Sequence, residues 1–358
     1  MPIFEANGSS TTDFAGVATG GMTLDGKKVF AEDTGRFLQI GVQKSVFLSQ
    51  LLEHRPVLMS DVDVAFISDP YPYIQEISNE VSFDVAVTSD CLKVAEYYDE
   101  GDFKQCVNVE FNTGVLLWQP TQRARTFVGE WRDAMLNPVS KWEHDQGAFN
   151  RILRAKHTMK QIGPRLLEIT TDEGPLRVYM LPIDLFLGGH VYFIQRSPQR
   201  HNKTAYMVHT TYQFSHSFGK RERLREEKLW LTDAQAYYAD GNFLKVSSDL
   251  PDELKDVGGI DAHLRLSMWY RQSLRAAFGI AEILNRTVIM PELKCACDRW
   301  WGEILPSCII PGADMELPFT CPMDHLFFLG VRMNSFLMRS RFLKKHLVHY
   351  ILLFQLRL

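Results

Sequence analysis

The sequence predicts an α/β protein, and two observations lead to this class. Short apolar runs with the character of buried strands recur along the chain, at residues 57–59, 84–88 and 109–118. Segments with apolar residues at helical spacing, such as residues 35–52 and 121–136, alternate with these runs. Polar residues collect where the apolar runs end, which is where open α/β sheets bind their ligands.

The composition indicates a folded globular chain and excludes two classes of partner. Hydrophobic residues make up 46% and aromatic residues 12% of the 358 residues, enough for a packed core and for more than one domain. A net charge of -4 gives no electrostatic reason to bind nucleic acid or an anionic membrane. No stretch has the length and apolar character of a membrane span, and the N-terminal residues lack the pattern of a signal peptide.

The cysteines and glycosylation sequons favour a secretory lumen. Three Asn-x-Ser/Thr sequons begin at Asn7, Asn202 and Asn285. Six cysteines fall into an early pair and a late group of four: Cys91, Cys106, Cys295, Cys297, Cys308 and Cys321. A zinc site formed by the late group is the alternative, although a Cys-x-Cys pair followed by two unequal gaps is not a usual zinc-finger spacing.

The first third of the chain leads up to one prominent strand. Gly and Thr are frequent up to about residue 33, which predicts loop with at most one strand at residues 28–31. Residues 35–52 then form an amphipathic helix. The strand at residues 57–59 follows, ends in Asp61 and Asp63, and returns to apolar character from Val64 to Ile67.

Asp61 and Asp63 predict a metal site. In an extended strand both acids project to one side while Val62 points to the other. Two like charges in an apolar neighbourhood require a proton or a cation, and paired carboxylates suit Mn²⁺ or Mg²⁺. The functional interpretation is a metal site that holds a diphosphate. The alternative is a pair of acids that cap a strand in a solvated turn.

The next segment contains a strand with an irregularity in its middle. Residues 68–73 should break regular structure, residues 84–88 form a strand, and residues 91–107 form a loop or short helix. Within the strand at residues 109–118, Gly114 indicates a bulge or the close approach of another group to the backbone. Asn112 beside it could bind a sugar, or could serve the bulge alone.

The helix at residues 121–136 is followed by a second helix that starts at residue 142. Asp145 and Gln146 lie in its first turn, where the helix dipole favours an acid in any case. Helix capping is therefore one interpretation of these two residues. The other is that they bind sugar hydroxyls or face an anomeric carbon.

Three further strands are predicted, at residues 178–182, 189–194 and 205–211. His209 lies at the end of the last one, and a neutral imidazole is a good third ligand for Mn²⁺, although an isolated histidine often has a structural role only. A charged helix follows from Lys220, which with Arg221 could reach a phosphate from the helix start. Most of its charges describe a solvated helix face.

The pattern of predicted elements changes near residue 250. A long amphipathic helix at residues 260–284 and a strand at residues 287–290 precede a region rich in Cys and Trp. We therefore predict one domain over residues 1–250 and a C-terminal α/β region over residues 251–358.

In combination, the motifs resemble the nucleotide-diphospho-sugar transferases of glycosyltransferase family 77, and more closely the plant and algal extensin arabinosyltransferases. Five motifs occur in one order: Ser60-Asp-Val-Asp63, Phe111-Asn-Thr-Gly-Val115, Asp145-Gln146, Val208-His-Thr-Thr211 and Gly219-Lys-Arg-x-Arg-Leu-Arg-Glu226. Two late motifs add specificity because they have no part in generic sugar-nucleotide binding: Cys297-Asp-Arg-x-Trp301 and Leu317-Pro-Phe-x-Cys-Pro-x-Asp-His325.

The resemblance implies a GT-A-like, Rossmann-type mixed sheet flanked by helices, with a C-terminal α/β appendage. It implies a metal-dependent, retaining transfer of L-arabinofuranose from a UDP donor to arabinosylated hydroxyproline of extensin-type glycoproteins. The implied location is the Golgi lumen, as a type II membrane protein. By position, Asp61, Asp63 and His209 would bind Mn²⁺ or Mg²⁺, and Lys220 would join the two acids at the donor diphosphate. Asn112, Asp145 and Gln146 would line the sugar and the acceptor.

One departure from the family pattern keeps two alternatives open. Family members open with a membrane anchor and a nucleotide-binding strand and helix, and this chain is expected to begin after them, as a truncated form. A catalytically silent chain is therefore one alternative. The other is a haloacid-dehalogenase-like phosphohydrolase, in which Asp61 would attack phosphorus and Asp63 would act as acid and base. The sequence leaves the sugar open between arabinose and another pentose such as xylose.

Overall fold

A computed structural model describes residues 26–94, 106, 108–140, 143–155, 159–171, 174–247, 249–300 and 303–329. Its α-helices, numbered in chain order, are α1 Gly26–Leu51, α2 Tyr71–Glu80, α3 Gln122–Leu136, α4 Asp145–Ala155, α5 Ser197–Arg200, α6 His216–Glu226, α7 Ala236–Ala239, α8 Ile260–Ile283 and α9 Met323–Leu326. Its strands are β1 Val57–Ser60, β2 Val64–Phe66, β3 Val85–Ser89, β4 Phe111–Trp118, β5 Met159–Gly163, β6 Leu166–Thr171, β7 Gly174–Met180, β8 Phe186–Gly188, β9 Met207–His209, β10 Phe243–Lys245, β11 Thr287–Ile289, β12 Leu293–Cys295, β13 Arg299–Trp300, β14 Glu303–Ile304 and β15 Phe319–Cys321.

The main sheet has six strands in the order β1-β4-β3-β7-β6-β5. Among the described strand pairs of this sheet, β3–β7 is parallel and the other four are antiparallel, so the sheet is mixed. Every residue of β3 and β4 is buried, because other elements cover both faces of the sheet at its centre. The architecture confirms the predicted α/β class with a mixed sheet flanked by helices.

Three helices, α1, α3 and α4, cover one face of the sheet. Trp118 of β4 meets Trp131 and Phe127 of α3 and Phe149 of α4, with ring centroids 6.2–6.4 Å from its own. Leu48 of α1 belongs to the same apolar core. The polar residues of interest lie beside this layer, in the first turn of α4 and the first half of β4.

A smaller three-stranded sheet, in the order β2-β9-β8, lies with α2 on the opposite face. Its strands β2 and β9 are antiparallel, whereas β8 and β9 are parallel. The alternation of side chains along β4 links the two layers, because Val115 and Leu117 face this side while Leu116 and Trp118 face the helices.

The C-terminal region packs around α8. Its buried face, formed by residues such as Leu266, Tyr270 and Phe278, lies against strands β12 and β15. Two disulfides hold the loops here, Cys295–Cys321 and Cys297–Cys308, and a third joins Cys91 to Cys106. The zinc alternative is therefore wrong, since all four late cysteines are paired with one another. Three disulfides fit an oxidising compartment.

The structure corrects several predicted elements. Residues 28–31 lie within α1, and α2 begins at Tyr71, directly after Pro70, inside the segment predicted to be irregular. Residues 57–67 are two strands in two different sheets. The strand predicted at residues 189–194 is a π-helical segment, His190–Ile194, and residues 95–105 lie outside the described part of the chain.

Gly189, just before the π-helical segment, permits a close approach of two parts of the chain. A Cβ atom on Gly189 would lie 2.0 Å from the carbonyl oxygen of Thr211, so only glycine permits this approach of the two chain segments. Strands β5 and β6 carried no clear alternation in the sequence and were not predicted. Within the described residues, no helix combines the length and apolar character needed to cross a bilayer.

Candidate metal and sugar-nucleotide site

The turn that carries Asp61 and Asp63 joins the two sheets. Strand β1 ends at Ser60 in the main sheet, and β2 begins at Val64 in the small sheet. The N–H of Asp61 donates to the carbonyl of Gly114 (2.8 Å), and the N–H of Thr210 donates to the carbonyl of Asp63 (3.1 Å). The backbone is thus a turn rather than the extended strand predicted from the sequence.

His209 reaches the two acids through the pairing of β9 with β2. In this register His209 is the partner of Val64, directly beside Asp63. Its Nε2 lies 3.3 Å from Oδ1 of Asp63 and 3.9 Å from Oδ2 of Asp61. The three ligand atoms all lie within 4.8 Å of one another, a spacing at which one divalent cation can contact all three.

Two lysines bind the remaining carboxylate oxygens. Lys44 of α1 contacts Oδ1 of Asp61, and Lys220 of α6 donates to Oδ2 of Asp63 at 2.5 Å. Each acid therefore directs one oxygen to a lysine and the other toward His209. This arrangement fits a metal site, because it fixes the orientation of both carboxylates and leaves one oxygen of each for a cation.

The pKa values of the two acids differ because their surroundings differ. Burial raises the pKa of Asp61 and outweighs the opposing effect of Lys44. Burial also raises the pKa of Asp63. Hydrogen bonds and positive charge from His209 and Lys220 outweigh this effect and hold the pKa of Asp63 well below its ordinary value. Asp63 is therefore the more firmly ionised acid of the pair.

The second ring nitrogen of His209 binds Asn112. Nδ1 lies 3.0 Å from Oδ1 of Asn112, which also accepts the N–H of Gly114 (2.9 Å). The amide nitrogen of Asn112 donates to Asp90 at 2.8 Å. These partners assign Oδ1 as the acceptor, so Nδ1 carries a proton. Nε2, which faces the acids, is then the nitrogen that would give up its own proton to bind a cation.

Gly114 makes room for the imidazole. A Cβ atom at this position would lie 2.2 Å from two atoms of the His209 ring. The register of β3 and β4 shifts between Val87 and Thr88, opposite this segment. The sequence predicted a bulge or a close approach at Gly114, and the approaching group is the histidine.

Asp145 and Gln146 lie next to the acid cluster, at the start of α4. Oδ2 of Asp145 accepts from Lys44 (2.7 Å) and from the hydroxyl of Thr113 (3.3 Å), so Lys44 bridges Asp145 and Asp61. Gln146 donates to Asp90 at 2.8 Å. One network thus links the seven site residues singled out from the sequence, namely Asp61, Asp63, Asn112, Asp145, Gln146, His209 and Lys220.

Sequence reasoning missed two members of this network. Lys44 lies in the middle of an amphipathic helix, where a lysine normally faces solvent. Asp90 directly follows β3, and the rule that polar residues collect at strand ends could have identified it. Nothing in the sequence indicated Lys44, because its partners come from two distant segments.

A mixed sheet of this kind, with a cluster of acids and an imidazole at its edge, fits the class of GT-A-like nucleotide-sugar transferases. Comparison with known families agrees. Residues 16–224, more than half of the chain, match the family described as nucleotide-diphospho-sugar transferase. The chain belongs to this family.

Two curated relatives come from Arabidopsis thaliana. The chain is 32% identical to Arabinosyltransferase XEG113 over 307 residues, which cover 84% of this chain and 46% of the relative. It is 24% identical to UDP-D-xylose:L-fucose alpha-1,3-D-xylosyltransferase 3 over 189 residues, which cover 50% of this chain and 44% of the relative. The chain thus spans slightly less than half the length of each of these relatives.

Proposed function

We propose that this chain carries the catalytic centre of a metal-dependent transferase that takes a pentose from a UDP-sugar. The observation that carries the proposal is the convergence of Asp61, Asp63 and His209, each held by further polar residues. The family assignment supplies the donor class, a nucleotide diphosphate sugar. Both curated relatives are pentosyltransferases by name, which supports a pentose.

Mn²⁺ or Mg²⁺ is the metal that this donor set suits, with Asp61, Asp63 and His209 as ligands. When bound, such an ion neutralises charge on a departing diphosphate. Lys220 adds a positive charge beside Asp63, where it can donate to a phosphate oxygen. Asn112 holds His209 in the tautomer that presents Nε2 to the ion.

The sugar would lie toward Asp145 and Gln146, beyond Lys44. Lys44 neutralises Asp145, and the charge of Asp145 and Asp61 raises the pKa of Lys44 despite its burial. In this arrangement Asp145 holds Lys44 in place, and Gln146 and Asn112 orient Asp90. We infer that these residues form the sugar side of the centre.

We further propose L-arabinofuranose as the sugar and arabinosylated hydroxyproline of extensin-type glycoproteins as the acceptor, with retention of configuration. The higher identity to the arabinosyltransferase than to the xylosyltransferase supports arabinose. The three disulfides support an oxidising compartment of the secretory pathway. Within it, we propose the Golgi lumen, with type II membrane topology for a full-length form. The division into a transferase domain of residues 1–250 and a C-terminal region of residues 251–358 stays part of this proposal.

The test combines binding and turnover. Calorimetry should detect UDP binding that requires Mn²⁺, and Asp63→Ala should abolish both this binding and the consumption of UDP-arabinofuranose. Asp256→Ala, which removes an exposed acid far along the chain, is the matched control and should leave both unchanged. Circular dichroism would check that Asp63→Ala remains folded.

Three results would contradict the proposal. A folded Asp63→Ala protein with unchanged turnover would remove the metal assignment. The absence of any UDP binding, with or without metal, would favour the catalytically silent alternative. Hydrolysis of simple phosphate esters in the absence of a sugar nucleotide would favour the phosphohydrolase alternative.

A further inference from the structure

A separate cavity of about 490 Å³ lies beside helix α6, within the range of about 300–1,000 Å³ for small-molecule sites. Glu222 and Glu226 of α6 line it, whereas Lys220 of the same helix binds Asp63. Residues on an α-helix are about 100° apart, so Glu222 lies about 200° around the axis from Lys220. The helix thus separates this cavity from the metal-binding cluster.

Aromatic rings form much of the cavity wall. Phe193, Tyr237, Tyr238 and Phe243 line it, together with residues of β11. The hydroxyl of Tyr237 is buried and has no hydrogen-bond partner among the described residues. A buried hydroxyl without a partner is costly, so this group is suited to bind a polar atom of an occupant.

Three of the four glutamates that line the cavity have partners of opposite charge. Glu227 pairs with Arg196, and Glu292 pairs with Lys294 at 3.1 Å. Glu222 lies 3.7 Å from Arg225. These pairs reduce the attraction for a cationic ligand, while the carboxylates still repel a phosphate and retain lone pairs that accept from hydroxyl groups.

Glu226 adds a group that can both donate and accept. One of its oxygens accepts the N–H of Met323 at 2.9 Å. Desolvation by the surrounding protein raises the pKa of Glu226 to about 8, so that near neutral pH much of this carboxyl is protonated. A protonated carboxyl has the same dual hydrogen-bonding capacity as a sugar hydroxyl.

We propose that this cavity binds a short neutral oligosaccharide, the glycan part of the acceptor, at a distance from the transfer centre. Sugar rings combine hydroxyl groups at their edges with apolar C–H faces, which matches the mixture of carboxyl groups and aromatic rings. The choice of a glycan rests on the proposed function, because an acceptor that already carries sugars needs a site for them. The cavity then holds sugar units other than the one that receives the pentose.

Binding measurements on the whole chain test this proposal. Arabinotetraose and xylotetraose serve as probes, in calorimetry and saturation-transfer NMR, without UDP or metal. Tyr238→Ala and Glu292→Ala change exposed side chains of the cavity and should each weaken binding by about tenfold or more. Tyr71→Ala, the same change at an exposed tyrosine of α2, is the control and should bind normally.

The outcomes separate this proposal from the proposed function. The cavity assignment is overturned if neither tetrasaccharide binds at millimolar concentration, or if both cavity variants bind as the wild type does. It is also overturned if Asp63→Ala abolishes tetrasaccharide binding, since the probe would then occupy the metal-binding cluster. If UDP fails to bind with Mn²⁺ while both cavity variants lose the tetrasaccharide, the proposed function fails and the cavity assignment holds.

Discussion

Gly114 is a single residue on which the geometry of the candidate metal site depends. The ring of His209 lies where the side chain of any other residue would begin. Substitution would displace the imidazole or the strand, and a ligand displaced by even a fraction of an ångström coordinates poorly. The glycine is therefore required by packing against a functional side chain rather than by its own backbone angles.

We expect Gly114→Ala to weaken Mn²⁺ binding by about 10–100-fold, the range seen when a residue that supports a metal ligand is changed. Gly129→Ala is the control, since a Cβ atom there has no neighbour within 4 Å and the residue lies inside α3. That change should leave Mn²⁺ binding intact and raise the stability by about 0.5–1 kcal/mol. Electron paramagnetic resonance titration of free Mn²⁺ measures the affinities, and equal values for both variants would contradict the expectation.

Glu226 makes the stability of the fold depend on pH. Its pKa rises from 4.5 to about 8 on folding, so the folded state binds more protons than the unfolded state between these values. Its contribution to stability is present at low pH and is lost as the pH rises toward 8. Glu226→Gln removes this titration while keeping the hydrogen-bonding shape.

Urea unfolding at pH 5 and at pH 8.5 should test this. The free energy of unfolding of Glu226→Gln minus that of the wild type should be larger at pH 8.5 than at pH 5. The comparison uses a difference between two proteins, so titrating groups that do not interact with Glu226 cancel. A stability difference that is the same at both pH values would show that Glu226 does not titrate in this range.

At the scale of elements, helix α6 is fixed by the C-terminal region. Asp324 accepts from the backbone N–H of Phe214 (2.9 Å) and from Nε of Arg223 (2.7 Å). Gly219 allows this approach, because a Cβ atom there would lie 2.7 Å from the Asp324 carboxylate. The late Asp-His motif thus positions the helix that carries Lys220.

Asp324→Asn should be strongly destabilising, because the side chains of Arg223 and Asp324 are both fully buried and the arginine would lose its counter-charge. We expect a loss of about 3–5 kcal/mol in the free energy of unfolding. Asp314→Asn breaks an ion pair with Arg200 that is largely exposed, and should cost about 1 kcal/mol or less. Guanidinium denaturation of both variants gives the values, and similar losses would contradict the assignment.

The elements also explain what the sequence could and could not predict. The helices α3 and α8, the part of α1 from residue 35 onward and the buried strands β3 and β4 were predicted, because their apolar patterns are long and regular. The strand through Asp61 and Asp63 was predicted as one element, and it is two. Local pattern carries no information about which sheet a strand joins, since that depends on partners more than fifty residues away.

At the scale of the whole molecule, the residues of the candidate metal site could be predicted from the sequence, whereas the cavity beside α6 could not. Asp61, Asp63 and His209 were grouped from residue chemistry at strand ends and from the family resemblance, and the structure brings them together. The cavity beside α6 could not be predicted. Its walls come from α6, α7, β11 and the segment around Thr320, and only the packing of all four creates the space.

The bond between Cys91 and Cys106 closes directly beside Asp90. Asp90 anchors Asn112, and Asn112 anchors the imidazole of His209. The disulfide therefore restrains the chain next to Asp90, at one end of this series of hydrogen bonds. His209, at the other end, faces the two acids. If this disulfide were reduced, hydrogen bonds alone would position the side chain of Asp90. Oxidation of the two cysteines therefore helps to set the orientation of the His209 ring.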